Sequence, residues 1–121
     1  MEVQALTEQI VRTLDKHIAR DIRVLDVEGL TSVADRFIIA SGGSAPQVKA
    51  LADYVEEALA ANGVRPLREE GYASAQWILL DYGAVVVHIF LQTTREFYDL
   101  ERLWVDAPTI SIEQFLDSED A

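Results

Sequence analysis

The loop Gly42-Gly43-Ser44 is the first place in this chain where chemistry is conceivable. It joins an apolar strand to a helix, and free backbone N–H groups at such a junction bind anions. A site that transfers nucleotides from that position also needs closely spaced carboxylates to hold two divalent metals. No Asp-x-Asp or Asp-x-Glu pair lies on a strand after the loop, where Asp53 stands alone on a helix and Asp81 alone near a turn. No Gly-Lys-Ser/Thr follows, so the loop is not a P-loop. It reads as a tight strand-to-helix turn. His17 and His88 are the only histidines, and neither has a metal-ligand neighbour at useful spacing. His88, between Val87 and Ile89, reads as a half-buried, hydrogen-bonded side chain, and with Ser41 or Ser44 it makes no nucleophile signature. Glu56-Glu57 are adjacent on a helix, point in different directions and read as solvated surface. Glu69-Glu70 lie beside Gly71, where a structural or interface role is expected. Cysteine is absent, which removes disulfide and thiolate chemistry. No catalytic residue, metal site or cofactor is expected.

The elements that carry these residues alternate. Val3, Leu6, Ile10, Leu14 and Ile18 recur at spacings of three and four, which predicts an amphipathic helix with one buried stripe. A short strand is expected over 22–27 and a buried strand over 36–41, with Phe37-Ile38-Ile39-Ala40 at its centre. Ser44 and Gln47 have capping-box spacing, and Pro46 is acceptable in a first turn. Val48, Leu51, Ala52, Val55 and Leu59 make the stripe of that helix, and Gly63 suits its C-cap. Residues 64–73 read as a loop. Strands over 75–81 and 85–92 around Tyr82-Gly83 require an antiparallel hairpin. Thr94 is expected to cap a helix over 95–104, followed by an edge strand over 109–112 and a frayed helix over 113–121. The order predicts a single α/β domain with a mixed β-sheet flanked by helices and a crossover between residues 36 and 81. Residues 1–104 are its body and 105–121 an acidic C-terminal tail.

The stretch from Trp77 to Trp104 holds both tryptophans, two of the four tyrosines and His88. Alternation puts Ile78 and Leu80 on one face of the hairpin and Trp77, Leu79 and Asp81 on the other. On the helix that follows, Phe97, Leu100 and Trp104 align as a core stripe, leaving Tyr98, Glu101 and Arg102 accessible. Trp77, Asp81, Tyr98 and Glu101 therefore make an aromatic patch rimmed with acids, of the kind interfaces favour. The expected partner-binding residues are Trp77, Asp81, His88, Tyr98 and Glu101.

The net charge is −11, and the last seventeen residues carry five acids and no base. The rest of the chain is acidic too, which disfavours direct contact with DNA or RNA and favours a basic protein partner. No apolar run approaches the roughly 18 residues of a membrane span. The start Met1-Glu2-Val3-Gln4 lacks the regions of a signal peptide. A cytoplasmic protein without membrane contact is expected.

An ordered set of segments resembles the ribosomal silencing factor (RsfS/iojap) family. It runs through Asp21-Ile22, Leu25-Asp26-Val27, Ser41-Gly42 with Ser44, Gln47-Val48, Ala52-Asp53, Glu70-Gly71 and Trp77. It continues with Asp81-Tyr82-Gly83, Val87-His88, Arg95, Tyr98, Leu100-Glu101 and Leu103-Trp104. The resemblance implies a nucleotidyltransferase-like fold without catalytic carboxylates. It also implies a homodimer that binds large-subunit ribosomal protein L-fourteen, a basic protein, and so prevents joining with the small subunit when nutrients are short. Ala84 stands where that family commonly has an aspartate, and Pro46 where it commonly has an arginine. Ala84 removes a charge near the hairpin turn, and Pro46 alters the capped loop. The competing readings are a nucleotide-binding or nucleotidyltransferase-like enzyme using Gly42, Gly43 and Ser44, and an adaptor for another basic protein.

Overall fold

A computed structural model describes residues 1–116. Helix α1 (Val3–Lys16) begins at Glu2, whose carboxylate accepts from the Ala5 N–H at 2.7 Å. Its buried face holds Leu6, Ile10, Val11 and Leu14. Ile18 does not extend that stripe as expected. The helix has ended at Lys16, and Ile18 turns the chain with φ +64 and is 78 % exposed. Strand β1 (Arg20–Asp26) and strand β2 (Arg36–Gly42) pair antiparallel.

Helix α2 (Ala45–Ala60) carries the predicted stripe, all five residues of it buried. Ser44 caps it through the Gln47 N–H at 3.3 Å, while the Gln47 side chain reaches back to the Gly43 N–H at 2.7 Å. Gly63, at φ +75, lets the chain turn away. The stretch expected to be a loop contains strand β3 (Arg68–Glu70), which pairs antiparallel with strand β4 (Trp77–Asp81). Three charged residues in a row carry no apolar alternation, so β3 is held by its neighbour and by no signal of its own. The turn into strand β5 (Val85–Leu91) is made by Tyr82 and Gly83, with the Gly83 N–H donating to Asp81 Oδ1 at 2.8 Å.

The helix expected over 95–104 is two pieces, α3 (Gln92–Tyr98) and α4 (Leu100–Leu103), separated by Asp99 at φ +48. Leu91 occupies the cap position and no side chain caps α3, so Thr94 has no such role. The break also removes the periodicity behind the expected stripe. Leu100 is buried and Trp104 half-buried, but Phe97 is 80 % exposed. Strand β6 (Thr109–Ile110) lies along β1, and α5 (Glu113–Leu116) places Phe115 in the core at 0 % exposure. Phe115 thus packs from the stretch that reads as an acidic tail. Burial of a side chain that size stabilises by about 1.5–3 kcal/mol, which binds this segment to α1. The acids Asp117, Glu119 and Asp120 of the expected tail lie outside the described residues.

The sheet order is β3-β4-β5-β2-β1-β6, with β2 and β5 parallel and every other pair antiparallel. The crossover through α2 thus lands at the far edge, and the chain returns by β3 and β4 to place β5 beside β2. One face packs on α1, α2 and Phe115. The other carries Phe37, Ile39, Val86 and Phe90 and is covered by Leu100 and Ala107, with Trp77, Leu79 and Trp104 packed at its margin.

Between β3 and β4 the backbone turns at Gly71, φ +83, so close to β4 that a Cβ there would run into the Trp77 carbonyl. Gly71→Ala is expected to cost about 3 kcal/mol or more, because strained backbone and steric conflict add. Gly29→Ala, at φ +87 with nothing within 4 Å, should cost only about 1 kcal/mol. Urea denaturation midpoints compare the two, and equal losses would show that the close approach at Gly71 relaxes freely.

Candidate functional site

The margin of the second sheet face is an aromatic cluster. Trp77 on β4 lies directly opposite Phe90 on β5, their rings 4.8 Å apart. The Trp77 indole Nε1–H donates to His88 Nδ1 at 3.1 Å. Tyr98, at the end of α3, brings its ring to 5.3 Å from Trp77 and is 55 % exposed. Phe97 meets Tyr98 edge-on at 5.1 Å. A hydrogen-bonded, half-buried indole beside two exposed aromatic rings is a rigid apolar platform that loses little conformational entropy when covered.

The structure brings together Trp77, His88 and Tyr98, and separates them from Asp81 and Glu101. Asp81 lies four residues along β4 from Trp77, about 13 Å away at the strand rise. Its oxygens hold the Gly83 turn and the Arg68 guanidinium, the latter at 3.2 Å. Glu101 turns inward. It accepts from Arg95 Nε and Nη2 at 3.0 and 3.3 Å and meets Arg23 at 3.3 Å. His88, expected to be half-buried, is only 4 % exposed and stands behind Trp77, so it acts on the surface by holding the indole.

Arg95 is the residue that sequence reasoning missed as a support. It is 7 % exposed, and its Nη1 donates to the buried Ser41 Oγ at 2.8 Å. Residues six apart do not share a face on one continuous helix, so Arg95 meets Glu101 only because Asp99 breaks the helix. No local signal marked it, because Arg95 stands among Gln92, Thr93, Thr94 and Glu96, which are as polar as itself.

The other candidate, Gly42-Gly43-Ser44, is occupied by its own neighbours. The Gly43 N–H is taken by Gln47, and the Arg20 guanidinium lies across Gly43 so closely that a Cβ would meet it at 2.8 Å. Asp53 accepts from Tyr72 Oη at 3.0 Å. Among the described residues no group of three or more His, Cys, Asp or Glu is arranged to hold a metal ion, and no helix is long and apolar enough to cross a membrane.

The acid pairs regroup across the fold. Glu69 on β3 faces α2, where it shares a hydrogen bond with Glu56, so the contact joins one member of each sequence pair. Burial, then the Glu69 hydrogen bond and charge, then the Asp53 charge push Glu56 up to about 7. Burial pulls His88 down to about 4. These two groups give stability opposite slopes with pH. The Glu56 contribution is complete below the unfolded carboxyl value of 4.5 and is lost as pH rises to about 7. The folded state keeps His88 neutral, so its contribution is present above 6.5 and is lost as pH falls towards 4. Glu56→Gln should therefore melt above the wild type at pH 8, with the gap closing towards pH 5. Thermal melts across that range check this, and a gap independent of pH would contradict it.

A family model described as "ribosomal silencing factor during starvation" matches residues 1–121. The chain is 39 % identical to "Ribosomal silencing factor RsfS" of Halalkalibacterium halodurans over 93 % of this chain and 97 % of that one. A crystal structure of a Chromobacterium violaceum protein superposes with a TM-score of 0.83 at 42 % identity, covering 86 % of this chain and 87 % of that one. Mouse "Mitochondrial assembly of ribosomal large subunit protein 1" is 33 % identical over 80 % of this chain and 44 % of its own length. With a fold that superposes on its solved neighbour and a family match along its whole length, the chain belongs to the RsfS family of ribosomal silencing factors.

Proposed function

We propose that this protein represses translation by docking its aromatic platform on a basic large-subunit ribosomal protein, L-fourteen, at the face that meets the small subunit. Occupancy excludes the small subunit sterically, so the mechanism needs no bond making and no catalytic residue. The observation that carries this reading is the platform itself: Trp77 held by His88 and flanked by Phe90, with Tyr98 exposed against it. Large aromatic anchors of this kind supply most of the energy of a protein interface. Family membership and the name of the mouse relative support a ribosomal partner of the large subunit.

The roles divide by geometry. Trp77 and Tyr98 make contact, and His88 keeps the indole in place. Asp81 and Glu101, each satisfied within the fold and each partly accessible, set the field around the platform and hence on-rate and orientation. The net charge of −11 steers the chain towards a basic surface. The protein works as a homodimer in the cytoplasm, where ribosomes assemble.

Sucrose-gradient sedimentation of purified subunits at fixed magnesium tests the reading. The protein should travel with free large subunits and reduce joined ribosomes. Tyr98→Ala should weaken that association by roughly thirtyfold or more, the scale of an interface hot spot, with an unchanged melting temperature because the ring is largely exposed. Undiminished subunit joining, with the protein left at the top of the gradient, would overturn the proposal.

A further inference from the structure

Beside the platform is a cleft of about 300 Å³ lined by Glu70, Gly71, Trp77 and Leu79. Its walls differ in chemistry. Glu70 and Leu79 are direct partners across β3 and β4, so their side chains rise from the same face about 5 Å apart. Trp77 stands two residues along β4 on that face. Gly71 has no side chain to fill the gap and none can be added, because its backbone presses on the Trp77 carbonyl. The result is a slot with an aliphatic side, an indole wall and a carboxylate at the rim.

The geometry points to this slot as a receptor for one long cationic side chain, arginine or lysine, of the basic ribosomal partner. The inference rests on the docking reading above and names what the partner inserts. An apolar stem lies along Leu79 while the cation meets the Trp77 ring and Glu70, the arrangement that amphipathic cationic side chains favour. Charge supports a single cation. Arg68 bridges Glu70 and Asp81, so two carboxylates share one guanidinium and leave one negative charge at the rim. Among the described residues the cation lying over an aromatic ring is Lys49 over Tyr72, and none of them places a cation over Trp77. The indole is already fixed by His88, so insertion needs no reordering of the wall.

Binding of the full-length protein to purified large subunits, measured at low and high salt, tests the slot. Glu70→Gln should weaken binding roughly two- to fivefold at low salt and less at high salt, as expected for an exposed charge pair. Arg68→Gln should strengthen binding a few-fold, because it removes the resident competitor and frees Glu70 for the incoming cation. A general loss of fold at β3 would instead weaken both variants. Glu70→Gln and Arg68→Gln both binding like the wild type, while Tyr98→Ala binds weakly, would overturn the slot and leave the platform standing. All three binding like the wild type would overturn both.

Discussion

Strands β2 and β5 run parallel at the centre of the sheet, and parallel neighbours cannot be joined by a tight turn. The chain must leave β2, cross one face and come back, and α2 is that crossing. Its apolar stripe and that of α1 then seal this face. The return through β3 and β4 delivers β5 beside β2 with its C-terminal end next to Gly42. From there α3 departs on the opposite face. Everything about the second face follows from this. It receives only two short helical pieces and the segment after them, which is too little to cover β4.

What covers the second face is held by charge. Arg95 is buried where α3 crosses the end of β2, and it is kept by Ser41 and Glu101 together. An unpaired guanidinium in that position would be costly, so its partners are required for burial. The Asp99 elbow lets Glu101 fold back to Arg95, and the same elbow directs Phe97 and Tyr98 outward beside Trp77. The polar interior of this corner and the exposed aromatics of its surface are therefore two consequences of one backbone reversal. At the opposite side of β4 the edge strand β3 carries charge on both faces, Arg68 and Glu70 towards the platform and Glu69 towards α2. Charged side chains on an exposed edge also discourage indiscriminate strand pairing.

Much of the fold was legible in the residues. The α2 stripe, its Ser44 cap and Gly63 turn, the β4–β5 hairpin around Tyr82-Gly83 and the two central strands follow from local spacing, and the structure reproduces them within a residue or two. Failures came where tertiary contact overrode a local pattern. Ile18 fits the helix stripe in spacing, yet the helix stops before it. Phe97, Leu100 and Trp104 align on an uninterrupted helix, but the Arg95–Glu101 pair exists only if that helix is broken. β3 has no strand signal and forms because β4 offers it an unpaired edge. Phe115 lies in a segment that reads as acidic tail, and it packs into the core together with Ile110, Ile112 and Leu116.

The candidate site divides in the same way. Sequence by itself determined that Trp77 and Tyr98 belong to one hairpin-plus-helix unit, that the chain is acidic, and that its ordered segments resemble the silencing-factor family, because composition, periodicity and motif order are properties of the chain. Only the tertiary structure decided that His88 lies behind Trp77, that Glu101 turns inward to Arg95, that Glu56 meets Glu69, and that Glu70 and Leu79 face each other across a slot. Those contacts, like the Arg95–Ser41 bond across 54 positions, depend on sheet order, strand register and a single left-handed residue at Asp99. No local spacing encodes these features, because each is set by which elements pack together.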